Sequence, residues 1–184
     1  MKKIFIGIAG VVLLIGIYIM VAYNGLITAN EFIDSQWAQV ETQYQRRFDL
    51  IPNLENSTKG IFEQEKDVFG ALAEARTRYA GAQTPNDRAL AASGVESALG
   101  RLLVVVENYP ELRSSEAVTT LMAQLEGTEN RIAVERKRYN DNVRDYNLVV
   151  KRFPKSMVAS MFGFGEREYF EISESANVAP RVEF

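Results

Sequence analysis

The amino-acid sequence predicts an all-α protein in which an N-terminal transmembrane helix continues into an antiparallel, up-and-down four-helix bundle with long helices. Three observations predict this fold class. A run of about 20 uncharged residues lies near the N-terminus, apolar side chains then recur at helical spacing, and prolines separate the periodic segments. One anchor and one bundle of ordinary size account for the 184 residues.

The N-terminal run, residues 4–23, is long enough to cross the hydrocarbon core of a bilayer as a helix of about 30 Å. A cleaved signal peptide has a shorter apolar region that is followed by small residues. The best cleavage position here, after Ala29, has the bulky Ile27 where a small residue is required. We therefore expect an uncleaved anchor, with Tyr18 and Tyr23 at the far membrane interface.

The charges beside the anchor predict its orientation. Lys2 and Lys3 precede it, whereas Glu31 and Asp34 are the first charged residues after it. By the positive-inside tendency, residues 1–3 are cytoplasmic and the bundle is periplasmic or extracellular. The uncharged run makes membrane lipid an expected partner. The net charge is −3 and no basic cluster is present, so we expect no nucleic acid among the partners.

The predicted bundle covers residues 24–154. Pro52 disfavours helical geometry at Ile51, so we expect the chain to turn or kink there. A turn gives four helices, whereas a kink gives a three-helix antiparallel rod with a very long first helix. The three apolar stripes before the last helix are Ile33, Trp37, Val40, Tyr44, Phe48 and Ile51; then Leu54, Ile61, Val68, Leu72 and Tyr79; then Leu90, Val95, Leu99, Leu102, Val106 and Tyr109.

The last predicted helix, from about residue 115 to 153, carries a heptad pattern without a slip. Steps of four and three alternate along its stripe, which predicts coiled-coil-like packing on other helices. Pro154 ends the helix. The stripe consists of Val118, Met122, Leu125, Glu129, Ile132, Arg136, Tyr139, Val143, Tyr146, Val150 and Phe153.

The segment 155–170 is apolar, and residues 171–184 are expected to form an acidic, weakly ordered tail. Two interpretations of the apolar segment remain open: it lies on the membrane interface, or it caps one end of the bundle. The residues expected to make either contact are Met157, Met161, Phe162 and Phe164.

Several charged residues occupy core positions of these stripes and therefore need partners. We expect a structural polar network that fixes register and alignment, rather than a ligand site. Asn140 and Asn147, seven residues apart at the edge of the last stripe, are expected to act as hydrogen-bond anchors. The charged members of the network are Arg46, Arg47, Glu65, Arg76, Glu107, Glu129 and Arg136.

The chain contains neither cysteine nor histidine. Disulfides, thiolate metal sites and cysteine nucleophiles are therefore excluded, and the commonest general base and metal ligand is missing. Di-iron bundles, which pair glutamate with histidine three residues later, are excluded for the same reason. We expect no cofactor, no catalytic residues and no enzymatic activity.

The motifs together resemble the bacterial LemA family over about residues 20 to 170. The most specific elements are Arg46-Arg47-Phe48-Asp49-Leu50-Ile51-Pro52-Asn53-Leu54, Glu107-Asn108-Tyr109-Pro110-Glu111-Leu112, Tyr139-Asn140, Tyr146-Asn147 and Phe153-Pro154; Tyr23-Asn24, Trp37, Glu65, Ala75-Arg76, Thr128-Glu129, Ile132 and Arg136 complete the set.

The resemblance implies a single-pass helical bundle at the bacterial inner membrane, without an established reaction. It implies a role in envelope organisation or signalling, and some LemA-like proteins are encoded near membrane proteases. We therefore expect a scaffold that associates with itself or with another envelope protein, such as a membrane protease. The alternative is a sensor or adaptor that binds a small ligand or peptide in the bundle and signals through the anchor.

Overall fold

The computed structural model describes residues 2–58 and 65–170, and this part of the chain consists of helices and connecting segments, without strands. The expected tail at 171–184 and the stripe residue Ile61 lie outside the described residues. The helices are α1 (Lys2–Ser57), α2 (Lys66–Gly81), α3 (Pro85–Asn108), α4 (Pro110–Arg113), α5 (Glu116–Lys151) and α6 (Lys155–Phe162).

Helix α1 continues through Pro52, so the turn that would separate two helices at this residue does not form. Pro52 lies close to the end of the helix, where loss of one backbone hydrogen bond interrupts only the final turns. Ile51 and Leu54 on either side of it are fully buried, and their packing offsets that loss. The first helix is therefore the very long one of the alternative interpretation, and Leu54 belongs to α1 rather than to a second helix.

Helix α3 begins with a well-formed N-terminal cap. The Thr84 hydroxyl accepts a hydrogen bond from the Asp87 backbone N–H at 3.1 Å, and Pro85 occupies the first helical position. The expected core position of Leu90 is wrong, because its side chain is 56% exposed while Ala89 and Ala92 are buried. The sequence stripe favoured the larger side chain, whereas the actual core face at this end of α3 carries alanines.

The chain divides into two compact units, and α1 and α5 contribute residues to both. Unit 1 consists of Met1–Ala38 and Lys137–Tyr169, and unit 2 consists of Gln39–Arg136 and Phe170–Phe184.

In unit 1, α1 and α5 run antiparallel. Trp37 of α1 packs edge-on against Tyr139 of α5, with ring centroids 5.5 Å apart. Both are buried, which confirms that Trp37 is a core residue. The other buried apolar side chains of the unit are Ala22, Leu26, Ile33, Val143, Tyr146, Val158 and Ala159.

In unit 2, α2 packs against α3, and an aromatic cluster joins α1 to α2. The Phe48 and Tyr79 rings lie 4.6 Å apart in an edge-to-face arrangement, and Tyr44 lies 5.4 Å from Tyr79. The fully buried core of this unit comprises Val40, Ile51, Leu54, Leu72, Val95, Leu99, Leu102, Val118 and Ile132.

The heptad stripe predicted for the last helix is its packed face. Six of its apolar positions are buried, and Met122, Glu129, Arg136 and Val150 are half-buried. Phe153 is the exception, because it follows the end of α5 and is 78% exposed. The buried six are Val118, Leu125, Ile132, Tyr139, Val143 and Tyr146.

Two of the described helices, α1 and α3, are long and apolar enough to cross a membrane by length and composition alone. They differ in burial. The apolar window of α1 is entirely exposed, whereas 39% of that of α3 is buried, with Val95, Leu99 and Leu102 in the core. We therefore treat only the N-terminal part of α1 as a membrane span.

Candidate functional site

The charged residues that the structure describes in unit 2 form three cross-helix ion pairs, of which one joins Arg88 of α3 to Glu41 of α1. The Arg47 guanidinium of α1 contacts the Glu129 carboxylate of α5. Its side chain is only 8% exposed, against 42% for Glu129. Removing the carboxylate would leave a buried guanidinium without its charged partner, so the pair favours one alignment of α1 and α5 in this unit.

Glu96 of α3 stands at the centre of the third pair. Its Oε1 atom accepts hydrogen bonds from Arg136 Nη1 of α5 at 3.2 Å and from the Tyr44 hydroxyl of α1 at 3.3 Å. The Arg136 guanidinium also lies over the Phe170 ring, 4.2 Å from its centroid. One carboxylate therefore connects three helices of unit 2.

Burial raises the pKa of Glu96 above its ordinary value of 4.5. The nearby negative charge of Glu129 raises this pKa further, while Arg136, Arg47 and the Tyr44 hydrogen bond oppose the shift. Burial and like charge prevail, so the ionised form of Glu96 is less favourable in the folded protein than in water.

Other residues of the predicted network lie elsewhere. Arg46 is exposed and lines an open groove with Arg131. Glu65, directly before α2, accepts a hydrogen bond from the Tyr109 hydroxyl at 3.0 Å. Arg76 is half-buried and Glu107 is exposed, and neither joins an ion pair within the described ranges 2–58 and 65–170.

In unit 1, Asn147 holds a segment that returns after α6. Its amide Nδ2 donates to the Arg167 carbonyl, and its Oδ1 accepts from the Arg167 backbone N–H, both at 2.9 Å. The Arg167 guanidinium in turn bonds to Asn30 at 3.1 Å and forms an ion pair with Asp34 on α1. Asn147 is therefore a buried anchor for residues 163–170, while Asn140 lies half-buried one heptad earlier.

The aromatic residues after α5 pack at the end of the predicted span. The Tyr23 ring lies 4.7 Å from Phe162 and 5.8 Å from Phe164. Phe164 is half-buried, whereas Met157 and Met161 are 61% and 67% exposed. The four residues expected to make a membrane or interface contact therefore belong to one structure, α6 and the turn after it, but they do not all face the same way.

The described side chains include no group of three or more carboxylates that could hold a metal ion. Arg47 and Arg136 each form an ion pair with a carboxylate, and Asn147 forms hydrogen bonds with backbone groups. These arrangements fix the alignment of helices and of the returning segment.

Sequence reasoning missed Glu96 and Arg167, which are the partners of the predicted residues Arg136 and Asn147. Glu96 was detectable, because it lies four residues after Ala92 and three before Leu99, both buried, and therefore at core spacing on α3. Arg167 was not detectable, because it lies in irregular chain after α6, where no periodicity predicts which helix it contacts.

Comparison with known proteins gives a family match over most of the chain. The model of the LemA family matches residues 36–184. This range begins after the apolar run of α1 and includes the three cross-helix ion pairs of unit 2 and Asn147.

Individual relatives are magnetosome proteins. The chain is 30% identical over 179 residues to Magnetosome protein MamQ 2 of Paramagnetospirillum magneticum, and 27% identical over 178 residues to Magnetosome protein MamQ of Magnetospirillum gryphiswaldense. Each alignment covers 83% of this chain, but only 66% and 65% of the respective relative. The chain thus spans just under two thirds of the length of these relatives.

Replacing Glu96 by glutamine should remove the contribution of this carboxyl group to the pH dependence of the unfolding free energy. A carboxyl group with a raised pKa binds its proton more tightly in the folded state, so its contribution to stability falls as pH rises from about 4.5 through the folded-state pKa. The unfolding free energy of the Glu96→Gln variant should therefore increase relative to wild type over this range. Thermal unfolding of both proteins between acidic and neutral pH measures the difference.

Glu107→Gln, which removes an exposed carboxylate from the same helix, is the matched control. A Glu96→Gln difference that stays constant with pH would mean that attraction to Arg136 balances burial, and a change in favour of wild type as pH rises would mean that attraction outweighs it.

Replacing Asn147 by alanine should release residues 163–170 from α5. Both hydrogen bonds to Arg167 are lost, and leaving such groups unpaired typically costs about 1–3 kcal/mol. Trypsin cleavage after Arg167 should accelerate by about tenfold or more, since 1.4 kcal/mol corresponds to a factor of ten. Asn30→Ala, which removes one contact of Arg167, should give a smaller acceleration, and equal cleavage of all three proteins would contradict the anchoring role.

Proposed function

Since the chain belongs to the LemA family, we propose that it is a non-enzymatic, membrane-anchored scaffold that acts through contacts with copies of itself or with other envelope proteins. Two observations support this proposal. The sequence contains no histidine or cysteine, and Arg47 and Arg136 form ion pairs within the protein. The relatives are named as magnetosome proteins, which supports a role within a larger cellular structure. The magnetosome itself is not proposed for this chain.

The observation that carries the proposal is the outward face of α3. Leu90, Gly94, Ser97, Arg101 and Val104 are all exposed and repeat at steps of four and three. This spacing places them along one side of the helix, opposite the buried stripe. The outward side of α3 therefore offers a second, largely uncharged face suited to contact with another helix.

A groove of about 250 Å³ runs along this face, between α2 and α3. Small side chains line much of it, so the backbone of a partner helix could approach closely. The salt-bridged Glu74 and Arg78 lie at its margin. An apolar floor with a polar rim is the usual arrangement of a protein contact. The small lining residues are Ala71, Ala75, Ala91, Gly94, Ser97 and Ala98.

We propose further that Lys2 and Lys3 remain cytoplasmic and that the residues after the span lie outside the cytoplasm. The scaffold would then present α3 to other proteins on the outer side of the bacterial inner membrane. A membrane protease is one candidate partner, and a second copy of the chain is the first to test.

Charged substitutions on the α3 face should abolish self-association without unfolding the protein. Leu90 and Val104 are 56% and 58% exposed, so the Leu90→Lys/Val104→Lys variant should keep the thermal midpoint of wild type. It should shift the particle mass in lipid nanodiscs or mild detergent from oligomer to monomer, because lysines resist burial in an apolar contact. Light scattering coupled to size-exclusion chromatography measures that mass.

Val134→Lys is the matched control, since Val134 is also exposed, at 48%, but lies on α5. It should leave the oligomer intact. Monomeric wild-type protein at every concentration would count against self-association, and crosslinking in native membranes would then test for a different protein on the same face.

A further inference from the structure

Helix α6 has one face against the protein and one face without protein cover. Val158 and Ala159 are 3% and 1% exposed, so they fix the helix to the remainder of unit 1. Met157 and Met161 are more than 60% exposed, and Phe162 is 47% exposed. For an eight-residue helix, this is a large apolar surface to leave in water.

The position of α6 along α1 coincides with the end of the apolar span. Phe162 and Phe164 both contact Tyr23, the last residue of the predicted membrane span at residues 4–23. Before that point the large apolar side chains of α1 at residues 4–17 are more than half exposed, and Ala22 is the first buried residue among those that the structure describes. The transition from exposed to covered apolar surface therefore occurs beside α6.

The antiparallel register of α1 and α5 places the end of α5 at the same level along α1 as helix α6. Tyr139 contacts Trp37, and α5 ends twelve residues after Tyr139, at Lys151. At 1.5 Å per residue this is about 18 Å, so α5 ends level with about residue 25 of α1. Phe153, which is 78% exposed, follows within two residues of that end.

The segment is held firmly in this position. Gly163 ends α6 in the left-handed conformation at φ 76°, and the Phe164 backbone N–H bonds to the Ala159 carbonyl at 2.9 Å. A few residues further on, Asn147 anchors Arg167, and Lys151 forms an ion pair with Glu166 at 2.7 Å. The exposed face of α6 is thus followed directly by a segment that these contacts hold against unit 1.

We propose that α6 and Phe153 form a second membrane contact, which lies on the headgroup–acyl boundary of the same bilayer that α1 crosses. Lipid is the occupant because this apolar surface is continuous with the end of the exposed span. Exposed Arg152 and Lys155 flank Phe153, and their cations suit the phosphate groups of the interface. Contact at two points would fix the tilt and rotation of α1 in the bilayer, which a single span leaves free.

Depth-dependent fluorescence quenching tests this proposal in the full-length protein. Because the chain contains no cysteine, single variants can be labelled with an environment-sensitive fluorophore without further changes. Met157→Cys and Met161→Cys place the label on the exposed face of α6. Ser35→Cys, exposed on α1 in the same unit and about 18 Å beyond Tyr23, is the matched control.

Each variant is reconstituted in vesicles of phosphatidylcholine and phosphatidylglycerol, with and without brominated acyl chains. Brominated lipid should quench the labels at residues 157 and 161 several-fold more strongly than the label at residue 35. Unchanged helical circular dichroism verifies that each labelled protein is folded.

Two results would overturn the proposal. Quenching at residues 157 and 161 no stronger than at residue 35, with water-like emission, would mean that the face is solvated. A blue-shifted emission without quenching by brominated lipid would mean that protein, such as a second copy, covers it. Neither result would affect self-association through α3, which the particle mass tests separately.

Discussion

The apolar surface of α1 imposes the main constraint on this protein. Residues 4–23 carry no charge, and their large side chains up to Ile17 are more than half exposed, so this part of the helix requires lipid around it. From Ala22 onward one side of the same helix is covered by protein. Because α1 is continuous to Ser57, the anchor and the first helix of the folded part are a single element. The folded part must therefore begin at the membrane boundary.

The ion pairs of unit 2 set the register between helices. Arg47 with Glu129, and Glu96 with Arg136 and Tyr44, link helices that apolar packing alone would hold with less specific register. Such pairs contribute little net stability against apolar replacements, but removing one partner typically costs about 3–5 kcal/mol when the remaining charge is buried. The raised pKa of Glu96 shows that burial is only partly compensated there. These charges are best understood as alignment devices.

The sequence predicted the class of fold because its main determinants are periodic. The heptad stripe of α5 and the core position of Trp37 follow from spacing alone, and the structure buries both. Spacing alone left open whether Pro52 turns or kinks the chain, because burial of the flanking residues decides whether the helix continues. Leu90 was misjudged because side-chain size is a poor guide where alanines form the packed face.

The clusters were harder to predict than the helices. Glu129, Arg136 and Arg47 were recognisable as charges at core positions, yet the partner of Arg136 is Glu96, which the stripes omitted. Asn147 was recognisable as a hydrogen-bond anchor, but its partner is the backbone of a later, irregular segment. Periodicity identifies which residues need partners. It does not identify which partners the tertiary structure brings to them.

Accessibility of single cysteines along α1 tests the central claim most directly, since the native chain contains none. Cysteines placed one at a time from residue 8 to residue 35 in lipid vesicles would be reacted with a membrane-impermeant maleimide. Protection is expected through about Val21, with reactivity appearing at exposed positions from Asn24 onward. Uniform reactivity along the whole range would contradict a membrane span that continues into the folded part of the protein.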